Sequence, residues 1–268
     1  MTPPPPVQFA HLRVSSVFSM KYAVCPVEGI VRAAANHGHP VVGLVDRDSM
    51  AGAVRFLRAC QDTGVAAVVG VDIAVEPTCW PPQRATRPRR VDTPPMTGSD
   101  GRSEVLPRVV VLALGARGWA ALCRLVTKAH ARCDGTELMP AVSVADICEA
   151  AADGSIAVLL GHSSDVAHHI MRRRGDLAHA ALQPWRQVPQ GSLFIEVVTH
   201  GVEPASVPIL GQPDYSTRAA RMLLGFADDA GVPAVVSNAV RYLSREDAPV
   251  RSEEHTSELQ SRQYLVCR

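Results

Sequence analysis

Arg13 and Ser15, then Asp46 and Arg47, then Asp72 each stand just behind a short apolar run within residues 11–76. Polar groups at the carboxyl ends of strands are how a parallel α/β fold assembles a site. Carboxylates and imidazoles converging there could hold divalent ions. Asp46 and Asp72 suit that task. Arg13 and Arg47 oppose it, because a guanidinium keeps its charge and has no lone pair to offer a metal.

Other reactive types are less telling. His37 and His39 flank Gly38 in a turn and are expected at the surface, His168 and His169 point to different sides of a helix, and His11 is expected to be a satisfied core histidine in the first strand. Neither G-x-x-x-x-G-K nor G-x-G-x-x-G occurs, so nucleotide binding by those loops has no support. The seven cysteines are odd in number, scattered and without a C-x-x-C pair, which argues against a disulfide framework and against a thiolate zinc site.

The elements that must position these groups alternate in type. Residues 7–14, 41–45, 66–75, 108–114, 156–160, 193–198 and 234–236 read as strands. Residues 26–36, 50–62, 116–131, 143–151, 164–174, 177–185 and 217–230 read as helices. In the second helix Ala53, Val54 and Leu57 are expected on the buried face, and in the third Trp119, Leu122, Val126 and Ala129 fall at helical spacing, which places Trp119 in the core. Ser143 caps the next helix, with Asp146 where a capping box usually has Glu or Gln. Three strands joined by two helices within residues 7–75 imply parallel pairing with right-handed crossovers. Seven strands alternating with helices favour a closed or nearly closed β/α barrel over an open sheet.

With 268 residues, 47% of them hydrophobic, the chain can bury a substantial core; a net charge of +1 gives no bulk case for nucleic acid or membrane binding. No leader pattern and no apolar run long enough to span a bilayer occurs, so a cytoplasmic protein with no membrane partner is expected. Residues 1–8 form a proline-rich lead-in. Residues 77–107 are rich in Pro and Arg and poor in apolar side chains, the composition of a disordered insertion. The last eighteen residues, RSEEHTSELQSRQYLVCR, break from everything before them. Residues 251–261 and 264–268 can be encoded, in order, by a common short-read sequencing adapter and its continuation. They are set aside as a non-native tail, together with the Glu253, Glu254 and His255 cluster that would otherwise suggest a metal site.

Six stretches in order, HLRVSSVFS (11–19), GLVDRDSMAGAVRF (43–56), VVGVD (68–72), GWAALCRLVTKAH (118–130), FIEVVTHG (194–201) and VPAVVSNAVRY (232–242), resemble the PHP (polymerase and histidinol phosphatase) domain at the N-terminus of bacterial DNA polymerase III alpha subunits, closest to the error-prone, actinobacterial-type branch. The resemblance covers residues 9–250 and implies a distorted seven-stranded β/α barrel. Active members bind a cluster of metal ions with His, Asp, Glu and Cys ligands and hydrolyse phosphoesters.

Residue by residue, the resemblance implies a degenerate metal site. The family's opening H-x-H falls on Arg13 and Ser15, a following aspartate on Tyr22, and the histidine of T-D-H on Arg47 beside a retained Asp46. The glutamate of G-x-E is Asp72. Arg108 stands where histidine is common, His162 where Cys or a small residue is common, and His200 on a family histidine. Of an N-D-x-H ending only Asn238 remains, with Ala239 and Arg241 following. Asp72, His162 and His200 are the ligands left, and no catalytic residue is assigned. The arginines are expected to form ion pairs with Asp46 and Asp72 in a metal-free pocket; binding of a phosphate or a DNA backbone is their other use.

The implied function is a structural N-terminal domain of a polymerase acting in DNA replication or error-prone repair. It would contact DNA, and other replisome or translesion subunits, through a parent enzyme that uses magnesium. The fragment itself would need no cofactor. Two alternatives stand beside this: a metal-dependent 3'-5' exonuclease or phosphoesterase using zinc or manganese, and a stand-alone histidinol-phosphatase-like enzyme.

Overall fold

The structure, a computed structural model, describes residues 9–20, 22–76, 106–132, 140–201, 214–244 and 247. The lead-in at 1–8, residues 77–105 of the Pro/Arg-rich insertion and the tail at 251–268 lie outside the described residues.

Among the described residues, eight strands form one sheet: β1 (His11–Val14), β2 (Val41–Arg47), β3 (Ala66–Ala74), β4 (Arg108–Ala113), β5 (Ile156–Leu160), β6 (Leu193–Val198), β7 (Ala234–Ser237) and β8 (Ala239–Val240). Their spatial order is β7-β6-β5-β4-β3-β2-β1-β8. β7 and β8 are one stretch of chain interrupted at Asn238. Before it the backbone pairs with β6, and after it with β1, so the two edges of the sheet are drawn together into a nearly closed barrel. Counted as one interrupted strand, this pair gives the expected seven.

All neighbours are parallel except around β4, which runs antiparallel to both β3 and β5. An antiparallel neighbour needs no helical crossover, and no helix is described between β3 and β4. The reversal also brings the first residue of β4, Arg108, to the end of the barrel where the parallel strands finish. There it pairs in register with Ala74, two residues beyond Asp72.

Alternation separates two apolar environments. In β5, Ile156, Val158 and Leu160 join the layer under the helices, while Ala157 and Leu159 fill the barrel interior with Val45, Val110 and Leu112. In β6, Leu193, Ile195 and Val197 face the helices. Glu196 therefore lies on the interior side with Phe194, the first sign that the barrel core carries charge.

The α-helices of the described residues that cover the sheet are α1 (Val27–Asn36), α2 (Ala53–Thr63), α3 (Gly115–Ala131), α4 (Val144–Ala151), α5 (Asp165–Met171), α6 (Gly175–Leu182) and α7 (Thr217–Ala230). Gly64 and Gly231 end α2 and α7 with φ of 74° and 65°, the left-handed C-cap a side chain disfavours. The Ser143–Asp146 capping box forms, each side chain bonding the other's backbone N–H, because the shorter Asp still reaches across one turn.

Several expectations need correction. α2 buries Ala53, Phe56 and Cys60 and turns Val54 and Leu57 to solvent, a face rotated from the expected one. Trp119 is half-buried at the edge of the α1–α2 core, while Gly118, Ala121 and Leu125 face inward. The helix expected at 177–185 stops at Leu182, where Pro184 starts a 3-10 turn. His11 is buried, but neither ring nitrogen has a hydrogen-bond partner among the described residues. His168 and His169, expected to diverge, have ring centroids 5.4 Å apart.

Candidate functional site

The strand ends place most of the singled-out residues in one buried polar cluster. β1 shifts register against β2 between His11 and Val14, an irregularity that re-aims side chains, and Arg13 reaches into the barrel. It is 4% exposed and bridges two carboxylates, Nη2 to Asp72 at 2.9 Å and Nη1 to Glu196 at 2.8 Å. Glu196 is completely buried and accepts a second hydrogen bond, 2.5 Å from the Ser237 hydroxyl at the end of β7.

Asp72 is the hub. Besides Arg13 it accepts from Arg108 Nε at 2.6 Å, and its backbone carbonyl accepts from Arg108 Nη2 at 2.5 Å. The same Nη2 reaches Asp48 at 2.9 Å. Arg47, opposite Asp72 in the β2–β3 register, lies 3.9 Å from it. Burial alone would raise the Asp72 carboxyl, but Arg108, Arg13 and Arg47 together hold it well below the usual carboxylate range.

Asp46 follows a different course, correcting the expected arginine pairing. Preceding Arg47 in β2, it points to the opposite face, where Ser16 donates both its backbone N–H at 2.7 Å and its hydroxyl at 2.8 Å, and the Ser19 hydroxyl donates at 2.6 Å. It anchors the loop after β1. Ser15 donates to the Val45 carbonyl at 2.9 Å and is likewise structural.

Tyr22 packs between cations: the guanidinium carbons of Arg47 and Arg241 lie 3.4 Å and 4.1 Å from its ring centroid. Burial raises its phenol, yet Arg241, Arg47 and Arg13 outweigh that and make it more acidic than a free tyrosine. Arg241 also approaches the Tyr215 hydroxyl at 3.5 Å.

His162 and His200 flank Tyr215, with ring centroids 5.1 Å and 4.8 Å from it. His162 Nε2 accepts from the Val198 backbone N–H at 3.1 Å, which fixes a neutral tautomer with the proton on Nδ1. Burial lowers its pKa to about 4, with the Asp214 backbone pulling the other way. His200 also falls to about 4, through burial and then Arg241, opposed by a hydrogen bond with the Asn238 side chain. Ala239 contributes only backbone: it is the register partner of Arg13 across β8–β1.

Glu196, Asp48, Tyr215 and Ser237 belong to the site although the sequence did not single them out. A glutamate alternating with apolar residues in FIEVV was the available signal. Asp48 has a φ of 49°, uncommon for a non-glycine residue, and nothing in its neighbours announces that turn.

A multinuclear metal centre does not fit this donor set. Among the described residues no three His, Cys, Asp or Glu side chains are arranged to hold a metal ion. Asp72, the strongest ligand type of the expected three, carries two close guanidiniums, and His162 already uses Nε2 on backbone. What the arrangement does instead is neutralise buried charge and tie β1, β3, β4, β6 and β7 together.

Comparison with known proteins agrees with the barrel. The chain is 24% identical over 241 residues to the DNA polymerase III subunit alpha of Pseudomonas aeruginosa, covering 90% of this chain and 18% of that protein. It is 25% identical over 255 residues to the error-prone DNA polymerase of Symbiobacterium thermophilum, covering 90% and 20%. The chain thus spans about a fifth of the length of these curated relatives. Two solved structures share the fold at a TM-score of 0.51: a candidate metal-dependent phosphoesterase from Bifidobacterium adolescentis, 13% identical over 88% of both chains, and an amidohydrolase from Chromobacterium violaceum with bound sulfate and no metal, 14% identical over 87% of both. The PHP domain family matches residues 11–200, and the chain belongs to that family.

Proposed function

We propose that this chain is the N-terminal PHP domain of a DNA polymerase III alpha-type enzyme of the error-prone branch, serving as a structural domain whose metal site has become an ion-pair network. The parent enzyme would extend primers with magnesium during replication or repair synthesis in the cytoplasm, and its contacts with DNA and other replisome subunits would come mainly from parts outside this chain. The similarity to polymerase alpha subunits over 90% of the chain supports the context. One observation carries the structural role: Arg13, buried between Asp72 and Glu196, puts a permanent cation where metal-binding carboxylates would have to be free.

The test is hydrolysis of a mismatched primer terminus and of a simple phosphomonoester in manganese, zinc or magnesium. The expected result is no release above background. Metal-dependent release abolished by Asp72→Asn would overturn the structural reading in favour of an exonuclease or phosphoesterase.

A further inference from the structure

A groove at the other end of the barrel takes no part in the polar cluster. β1, β6 and β7 run the same way, so their N-terminal ends lie together, opposite the strand ends that carry Arg13 and Asp72. There the turn before β6 and the turn between α7 and β7 bound a half-open groove of about 230 Å³. Val188, Leu193, Val232 and Pro233 line it, with Arg186 and Gln190 as its polar side chains. The volume is below the roughly 300–1,000 Å³ of sites that enclose a small-molecule ligand, and suits the side chains of an extended peptide. Beside the groove β7 is bare. Ala234 and Val236 are exposed, Val236 by 53%, although their register partners Ile195 and Val197 on β6 are buried.

The chain enters β1 from this same end. Arg13 pairs in register with Ala239, and that register carried back brings Val7 level with Pro233. From Phe9 back to Pro3 an extended chain reaches roughly 19 Å, at about 3.1 Å per residue. Residues 3–6, all proline, have no backbone N–H to donate, so they cannot lengthen β1 as a strand against β7.

We propose that the proline-rich lead-in, through residues 3–7, docks in this groove and along the bare face of β7 as a strap over the β7–β1 seam. Proline fixes φ, so a polyproline segment loses little freedom on binding. Its rings match the apolar lining, and its carbonyls need donors. Arg186 Nη2 already donates to the Ala230 carbonyl at 2.9 Å, which holds the guanidinium in place with N–H groups to spare, and the Gln190 amide adds a second donor. The strap fastens by packing the end of the seam opposite the one that Ser237, Glu196 and Arg13 fasten by hydrogen bonds.

The test is hydrogen–deuterium exchange of the full chain, read by mass spectrometry at residues 190–193 and 231–232. Two variants are compared with it: one carrying Pro3→Ser, Pro4→Ser, Pro5→Ser and Pro6→Ser together, and Pro233→Glu. The serine variant changes no residue of the sheet, and exchange in the groove should rise about tenfold or more, because the cover is lost. Pro233→Glu, which sets a charge against the docked rings, should raise exchange at the same residues, and the two sets of changes combined should do no more than either alone. Circular dichroism checks that Pro233→Glu folds; if it does not, the serine variant decides alone. Exchange unchanged in the serine variant overturns the strap. Protection that falls on dilution, with a dimer in analytical ultracentrifugation, gives the groove to the lead-in of a second copy and overturns it as well.

Discussion

Glu196 and Arg13 show what a single residue does in this barrel. Neither charge has water to solvate it, so each depends on the other, and removing one leaves an uncompensated buried ion. Glu196→Ala is expected to cost about 3–5 kcal/mol in urea unfolding. Arg47→Ala should cost about 1 kcal/mol or less, because its pairing is long and partly solvated. Protonation has a definite sign here. His11, His162 and His200 are all lowered from 6.5 to about 4 in the native state. Between those values the unfolded chain binds protons that the native chain refuses, so stability is full above pH 6.5 and declines as pH falls toward 4. His162 alone is worth on the order of 3 kcal/mol across that window. Thermal unfolding as a function of pH should show the decline, and His162→Gln, which keeps an acceptor for Val198, should flatten it. Asp72 adds a further loss below about pH 4, since its depressed native pKa makes the unfolded chain take up the proton first. At this scale the sequence placed Arg13, Arg47, Asp72 and Arg108 at strand ends, where the structure has them. Their partners were not legible, because Arg13 and Glu196 are 183 positions apart and pairing is decided by strand order.

Strands and helices were easier to read than the faces they present. β5 and β6 run over the residues that their apolar runs indicated, since a continuous apolar segment bounded by turn residues has few alternatives. α2 did not yield its face, because Val54, Phe56, Leu57 and Cys60 surround the helix with apolar candidates and only packing against α1 selects among them. The antiparallel course of β4 was not legible, because an apolar run has the same pattern in either direction. Two substitutions test element-level packing. Gly161, directly after β5, has no room for a Cβ against the Glu196 carboxylate, which Arg13 holds in place. Gly161→Ala should destabilise by about 2 kcal/mol or more, and combining it with Glu196→Ala should give less than the sum, measured as a double-mutant cycle. Ser143→Ala removes one arm of the α4 capping box and should cost about 1 kcal/mol by denaturant titration.

For the whole molecule, closure and charge are linked. The last strand pairs with β6 up to Ser237 and with β1 after Asn238, and Ser237 bonds Glu196, which bonds Arg13 of β1. The polar network therefore spans the seam that hydrogen-bonded backbone closes. Removing the chain from residue 234 onward should abolish cooperative unfolding. The central claim is that ion pairs stand where this family's metal cluster would stand. Elemental analysis of the purified chain, with the melting temperature followed as chelator is added, tests it most directly. The account predicts substoichiometric zinc, manganese and iron and a melting temperature unmoved by chelator. Stoichiometric metal whose removal lowers the melting temperature, and whose binding is lost in Asp72→Asn, would contradict it.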